Sequence, residues 1–216
     1  MNATLHIRCG SDIRQGLLDA GLAGDFLEYA DPVCRGWTPA TREAASFRAA
    51  RLDYLVGVLG EDRDTTNAAL DAAETGLAKA DHHERIVLWF EHDIYDQAVL
   101  IRLLDHFDRR PALYERLFMI TTDRFPGIVR FNGLGQLSPR QLKSLWDSAT
   151  PVTAEQRTLG VTAWQAFRAD RPEALAALAA QGDLALPFLA RALKRHLQDL
   201  PWTRLVCPEE VVHLLS

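Results

Sequence analysis

Apolar residues along the chain follow either the spacing of a strand or the spacing of a helix. The clearest change from one to the other falls at residues 86–97. Residues 86–90 are apolar without interruption, which is typical of a strand buried on both faces of a sheet. The next residues, Glu91, His92 and Asp93, are polar. Because isolated charge inside a core is costly, we expect them where the strand emerges. The stretch therefore predicts a buried strand that ends in a polar turn.

A helix should follow this turn, with Asp93 at its N-cap, where aspartate is a favoured residue. The apolar positions beyond Asp93 recur at helical spacing; they are Ile94, Ala98, Val99, Ile101, Leu103, Leu104 and Phe107. The same spacing places Asp96, Arg102 and Asp105 on the side that faces solvent. The central unit of the chain is thus predicted to be strand, turn and helix.

The other predicted strands are shorter. In residues 4–9 the apolar side chains alternate with His6 and Arg8, and Gly10-Ser11-Asp12 then leads into a helix over residues 12–20. A second strand is predicted over residues 25–30, immediately before Asp31. A fourth and a fifth strand are predicted over residues 117–121 and 127–131.

The remaining pattern is helical. Between the second and third strands, residues 41–59 carry an apolar stripe opposed by Arg42, Arg48 and Arg51, which we interpret as a solvated face. An alanine-rich helix follows to about residue 80. Capping-box patterns at Ser138 and Thr153 begin two later helices, and Pro187 begins another. A final short helix is predicted over residues 207–215.

These elements predict an α/β fold in which a mostly parallel, Rossmann-like sheet carries helices on both faces. An all-helical C-terminal region follows the sheet. We place the α/β domain at residues 1–137 and the helical region at residues 138–216.

Composition narrows the functional class. The 216 residues are 48% hydrophobic with a net charge of -5, which argues against a dedicated binder of nucleic acid or of anionic membranes. No apolar run is long enough for a membrane span. Three cysteines without regular spacing support neither a disulfide framework nor a zinc pattern, so a cytoplasmic protein is expected.

The candidate site lies at the carboxyl ends of the predicted strands, where open α/β sheets bind their ligands. The candidate catalytic residues there are Asp12, Asp31, Glu91, His92 and Asp93, and the candidate ligand-binding residues are His6, Gly10, Ser11 and Gln97. Because parallel strands end at one edge, all of these residues except Gly10 are expected to converge on one pocket. The alternative is structural: Ser11, Asp12 and Asp93 cap helices, and His6 is a hydrogen-bonded core histidine.

Several of these motifs together resemble a known bacterial family. They are Leu5-His6-Ile7 with Cys9-Gly10-Ser11-Asp12, Asp31 with Cys34-Arg35-Gly36, Trp89-Phe90-Glu91-His92-Asp93 with Asp96-Gln97, and Gly135-Gln136-Leu137-Ser138. In this order they are similar to the family called domain of unknown function 1835. The resemblance implies one fold across most of the chain, and it supplies no reaction, cofactor or catalytic residue.

Two functions remain open from the residues. Carboxylates at several strand ends suit Mg²⁺ or Mn²⁺, and the Gly10-Ser11 turn suits a phosphate, so the chain is expected to bind a small, phosphate-containing or nucleotide-like anion. A metal-assisted phosphoester hydrolase would use the same groups. Without a metal, two clustered carboxylates could supply an acid and a base.

The alternative is a non-catalytic ligand-sensing or protein-interaction module. Its contacts would come from Trp164, Trp202 and the basic residues Arg191, Lys194 and Arg195. Cys34 beside Arg35 is a secondary candidate for a nucleophile, because a neighbouring cation lowers the pKa of a thiol.

Overall fold

The structure is a computed structural model that describes residues 4–41, 43–182 and 184–199. Three features of the sequence analysis lie outside these residues: Arg42, Trp202 and the final helix predicted over residues 207–215.

A five-stranded sheet with the order β2-β1-β3-β4-β5 forms the centre of the fold. Its strands are β1 (Thr4–Arg8), β2 (Asp25–Glu28), β3 (Arg85–Glu91), β4 (Leu117–Thr122) and β5 (Thr150–Pro151). The first four strands are parallel, and the two-residue β5 pairs antiparallel with β4. β1 lies between β2 and β3, so its residues are buried on both faces of the sheet.

Eight helices surround this sheet within the described residues. They are α1 (Arg14–Asp19), α2 (Ala44–Gly57), α3 (Arg63–Ala78), α4 (Ile94–Asp108), α5 (Pro139–Asp147), α6 (Ala154–Phe167), α7 (Glu173–Ala180) and α8 (Leu189–Asp199). Apolar residues of α1 and α5 pack with Val87 and Trp89 on one face of β3. Residues of α2, α3, α4 and α6 to α8 pack with Leu88 and Phe90 on the other face. The α/β fold with a mostly parallel sheet and C-terminal helices is thereby confirmed.

The C-terminal helices share their core with the sheet. Trp164 on α6 and Leu193 on α8 belong to the same apolar cluster as Leu88 on β3, and α4 lies between them. Trp164 is fully buried, so the indole is not available as a contact for a partner. The division of the chain at residue 138 stays a prediction.

The predicted strand over residues 127–131 is wrong. These residues form a turn and bends, with Gly127 at a φ of +82° and Val129 fully exposed. The position beyond β4 is taken instead by β5, which follows α5. The apolar residues at 128, 129 and 131 resemble a strand locally, but no neighbouring strand pairs with them.

Three charged residues that the helical pattern places in solvent are buried. Asp96 and Asp105 are only 2% and 4% exposed, because α4 is covered by the sheet on one side and by α6 and α8 on another. Arg51 is 0% exposed. It is spaced four residues from both Phe47 and Leu55, so it lies on the apolar side of α2.

Among the described residues, no helix combines the length and the apolar character that crossing a bilayer requires.

The contact between α4 and α6 depends on Gly160. A Cβ atom at this position would lie 2.4 Å from the Cβ of Leu104, so Gly160→Ala must push the two helices apart. We expect the substitution to lower the free energy of unfolding by about 1–3 kcal/mol, the usual cost of overpacking, as measured by urea denaturation.

Gly57→Ala is the matched control, since this helical glycine has no neighbour within 4 Å of the added Cβ. It should leave stability unchanged or raise it by up to about 1 kcal/mol. Equal effects of the two substitutions would contradict close packing of α4 against α6.

Candidate functional site

The topology places a switch point, the position of the ligand-binding crevice in open α/β sheets, at the carboxyl ends of β1 and β3. These strands are parallel neighbours, but the chain leaves β1 towards α1 on one face and leaves β3 towards α4 on the other. In open α/β sheets with this strand order, such a switch point is where ligands bind. The switch point therefore lies at the predicted edge of the sheet.

A buried arginine, Arg8, fills the base of this crevice. Its Nε and Nη2 donate to the two carboxylate oxygens of Asp12 at 3.1 and 3.2 Å. Its Nη1 donates to Asp96 Oδ1 at 2.5 Å and to the carbonyl oxygen of Trp89 at 3.3 Å, and Nη2 also donates to Glu91 Oε1. All five N–H groups of the guanidinium are thus used, and three carboxylates surround one cation.

Burial controls the protonation of the two inner carboxylates. Glu91 and Asp96 are 4% and 2% exposed, and burial raises the pKa of each carboxyl although Arg8 lowers it. Burial lowers the pKa of Arg8, but the hydrogen bond to Asp12 and the charge of Asp96 raise it further, so the net shift is upward. Asp96 also accepts hydrogen bonds from Cys9 Sγ at 3.1 Å and from the Glu91 backbone N–H at 2.7 Å.

The loop before α5 closes over this cluster. The backbone N–H of Leu134 donates to Glu91 Oε1 at 2.7 Å. A Cβ at Gly133 would lie 2.7 Å from Glu91 Oε2, and one at Gly135 would lie 2.7 Å from Asp12 Oδ2. Glycine is therefore required at both positions for the backbone to approach the carboxylates this closely.

Asp31, the acidic residue after β2, is held in a separate ion pair. Arg51 donates to its carboxylate from Nε at 3.0 Å and from Nη2 at 2.8 Å, and both side chains are almost fully buried. The remaining N–H groups of Arg51 bind the backbone oxygens of Pro32, Arg35 and Trp37. This carboxylate anchors the loop after β2 and does not join the cluster around Arg8.

His6 lies inside the sheet, away from the crevice. Its Nδ1 accepts a hydrogen bond from Trp89 Nε1 at 3.2 Å, and its ring also contacts Trp146 on α5. Burial lowers the pKa of the imidazole to about 4, and the backbone at Leu22 partly opposes this shift. His6 is therefore a neutral core histidine.

The predicted residues that remain accessible are fewer. Ser11, Asp12 and Asp93 are exposed, and Gly10 and His92 are half-buried, with the His92 ring against Phe188. Asp93 caps α4 by accepting from the backbone N–H of Asp96 at 3.0 Å, as predicted. Ser11 and Asp12 do not cap α1, because its N-cap is Ile13 and has no side-chain hydrogen bond.

Gln97 lies behind the crevice and is 1% exposed. Its Nε2 donates to the Glu91 carbonyl oxygen at 2.6 Å, so it holds the end of β3. The nine predicted residues therefore share one edge only in part: Asp12 and Glu91 meet at Arg8, whereas His6, Asp31 and Gln97 have structural partners elsewhere.

The donor set does not fit a divalent cation. The carboxylates of Asp12, Glu91 and Asp96 converge on the Arg8 guanidinium, which occupies the point where a metal would need to lie. No group of three or more His, Cys, Asp or Glu residues within the described ranges has an arrangement that could hold a metal ion. A role for Mg²⁺ or Mn²⁺ therefore gains no support from this site.

The Cys34 thiol differs from the expectation for a nucleophile. Burial raises its pKa, and this effect is larger than the lowering by the adjacent Arg35. The thiolate form is therefore disfavoured at neutral pH.

Three residues that organise this region were not predicted to do so from the sequence: Arg8, Asp96 and Arg51. A usable signal was present for two of them. Arg8 stands in a strand of a sheet that is predicted to carry helices on both faces, where an arginine needs a carboxylate partner. Arg51 has helical spacing with Phe47 and Leu55, which puts a cation on the apolar stripe.

No family model, curated protein or solved structure matches this chain. The resemblance to domain of unknown function 1835 stays a prediction, and the site is argued from its geometry.

Replacing Arg8 by Met should lower the free energy of unfolding by about 3–5 kcal/mol, because the buried carboxylates of Glu91 and Asp96 lose the cation that pairs with them. The loss should be smaller at about pH 4 than at pH 7, since Glu91 and Asp96 then take up protons. Urea denaturation at both pH values measures this. Arg14→Met, a half-exposed arginine 3.9 Å from Glu28, is the control and should cost less than about 1 kcal/mol.

His6→Gln should change the pH dependence of stability. Between about pH 6.5 and pH 4 the unfolded chain protonates His6 while the folded chain keeps it neutral, so this histidine costs stability as the pH falls. Between pH 7 and pH 4 the free energy of unfolding of the wild-type protein should fall by roughly 3 kcal/mol more than that of the variant. The carboxylates common to both proteins cancel in this difference. His82→Gln, at an exposed position, is the control. If the difference in stability between the wild-type protein and His6→Gln did not change with pH, this would contradict a neutral buried His6.

Proposed function

We propose that this protein binds a nucleotide-like ligand in the crevice between the carboxyl ends of β1 and β3. One observation carries the proposal: accessible polar side chains from both strand ends, Ser11 and Asp12 after β1 and His92 and Asp93 after β3, flank the topological switch point. The buried Arg8 cluster beneath them holds the two strand ends in a fixed relation.

The chemistry of these groups suggests how such a ligand would be oriented. Asp12 and Asp93 present carboxylate oxygens, which accept hydrogen bonds from ribose hydroxyls or from amino groups. All N–H groups of Arg8 are already used, so this arginine has none left for a phosphate. A phosphate group would instead be bound by backbone N–H groups of the Gly10–Ser11 turn and by the Ser11 hydroxyl.

The proposed activity is binding without turnover. Metal-assisted phosphoester hydrolysis needs a carboxylate set open to a cation, and the carboxylates here surround Arg8. Acid and base catalysis by Glu91 and Asp96 would need ligand access to two side chains that are almost fully buried. A ligand-sensing role, which needs only binding, is the function that the geometry supports best.

Asp93→Asn tests this proposal because asparagine caps a helix about as well as aspartate. We expect adenosine, AMP, ATP or NAD to bind saturably in isothermal titration calorimetry. The substitution should weaken binding about tenfold, while thermal stability falls by less than about 1 kcal/mol. Asp53→Asn, at an exposed position on α2, should leave the affinity unchanged.

Phosphate release should be followed in the same samples with and without Mg²⁺. Saturable binding without release supports the proposal. If phosphate release requires Mg²⁺ and is lost in Asp93→Asn, the protein is a metal-assisted hydrolase and not a ligand sensor. Failure of every nucleotide to bind would overturn both functions.

A further inference from the structure

A cavity of about 760 Å³ lies between the loop after β2 and the ends of α6 and α8. This volume is within the range of about 300–1,000 Å³ that small-molecule sites occupy. Its lining includes Cys34, Arg35, Trp37, Tyr54, Phe167 and His196. The carboxylates around Arg8 do not line it, whereas Ile94 and Tyr95, which follow Asp93, do. The cavity therefore lies beside the crevice at β1 and β3 and is lined by other side chains.

One wall of the cavity is held in place by buried groups. Arg51 pairs with Asp31 and donates to the backbone oxygens of Arg35 and Trp37, which fixes the loop over residues 32–37. Gly36 adopts a φ of +72°, and a Cβ there would lie 2.1 Å from the Tyr54 ring. The ring therefore packs directly on the loop backbone, and the wall is preformed.

Aromatic rings form much of the surface. Phe167 stacks on His196 with ring centroids 4.4 Å apart and an interplanar angle of 22°. Trp37 is 54% exposed although its loop is fixed by a buried arginine. A large exposed aromatic ring on a fixed backbone is typical of a binding surface, because it offers apolar area for stacking at a low cost in conformational entropy.

The charge of the lining is positive on balance. Among the described residues it contains three arginines, Arg35, Arg168 and Arg171, and two aspartates, Asp170 and Asp199. Asp199 pairs with Arg195 at 3.1 Å, and Arg171 lies 3.8 Å from Glu173. Arg35 is exposed and makes no salt bridge with a described carboxylate, so its guanidinium can bind an anion.

We propose that this cavity binds a small planar aromatic molecule that carries one acidic group. The ring would stack against Trp37 or Phe167, and the acidic group would pair with Arg35. This site does not depend on the nucleotide-binding crevice, and either proposal can fail without the other.

A matched pair of probes, 1-naphthoate and the uncharged 1-naphthamide, tests the proposal on the full chain. We expect naphthoate to bind saturably in calorimetry and naphthamide to bind at least about tenfold more weakly, since it has no carboxylate that can form an ion pair with Arg35. Arg35→Gln should remove this preference, and Trp37→Ala should weaken the binding of both probes. Arg140→Gln, an exposed arginine on α5 at the opposite face of the sheet, should change neither.

Cys34 reports directly on whether the probe occupies the cavity. Naphthoate should slow alkylation of Cys34 by iodoacetamide at mildly alkaline pH, measured by mass spectrometry of its peptide. If naphthoate binds but leaves the alkylation rate of Cys34 unchanged, the probe lies elsewhere and the proposal is overturned. The same holds if Arg35→Gln and Arg140→Gln bind naphthoate equally well. A Cys34 that reacts only in urea also overturns the proposal, because the cavity is then closed in solution.

Discussion

The rest of the site depends on one buried guanidinium. Arg8, at the end of β1, binds Asp12 before α1, Glu91 at the end of β3 and Asp96 in the first turn of α4. Glu91 in turn holds the backbone of Leu134. A buried ion pair contributes little net stability compared with apolar packing, but removal of one partner is costly, so the arrangement fixes geometry more than it adds stability. Three segments that are distant in sequence, residues 8–12, residues 91–96 and the loop at Leu134, are thus held in one relative position.

The acidic residue after β2 is compensated in the same way. Arg51 uses its N–H groups on the Asp31 carboxylate and on three backbone oxygens of the following loop. At both strand ends a buried arginine therefore neutralises acidic side chains and holds chain segments together. An acidic residue at a strand end is not by itself a sign of catalysis, because a cation supplied by another element can make it structural.

The local pattern predicted the strands β1 to β4, the helices and the caps at Asp93, Ser138 and Thr153, since these features depend on neighbouring residues. It did not predict β5, because two residues carry no strand period and pair only after α5 has positioned them. It also placed Asp96 in solvent, since periodicity describes one side of a helix and α4 is covered on more than one. Which acidic residue meets which arginine is a property of the tertiary fold.

The first turn of α4 connects the two surfaces on which ligand binding is proposed. Asp93 is exposed at the crevice, whereas Tyr95 lines the cavity. The Tyr95 hydroxyl donates to the backbone oxygen of Ala30 at 2.6 Å and lies 3.3 Å from that of Cys9, so it ties the ends of β1 and β2 to the same turn. Asp96, one residue on, is bound to Arg8. Because this turn is held by hydrogen bonds on both sides, the crevice and the cavity keep fixed positions relative to each other.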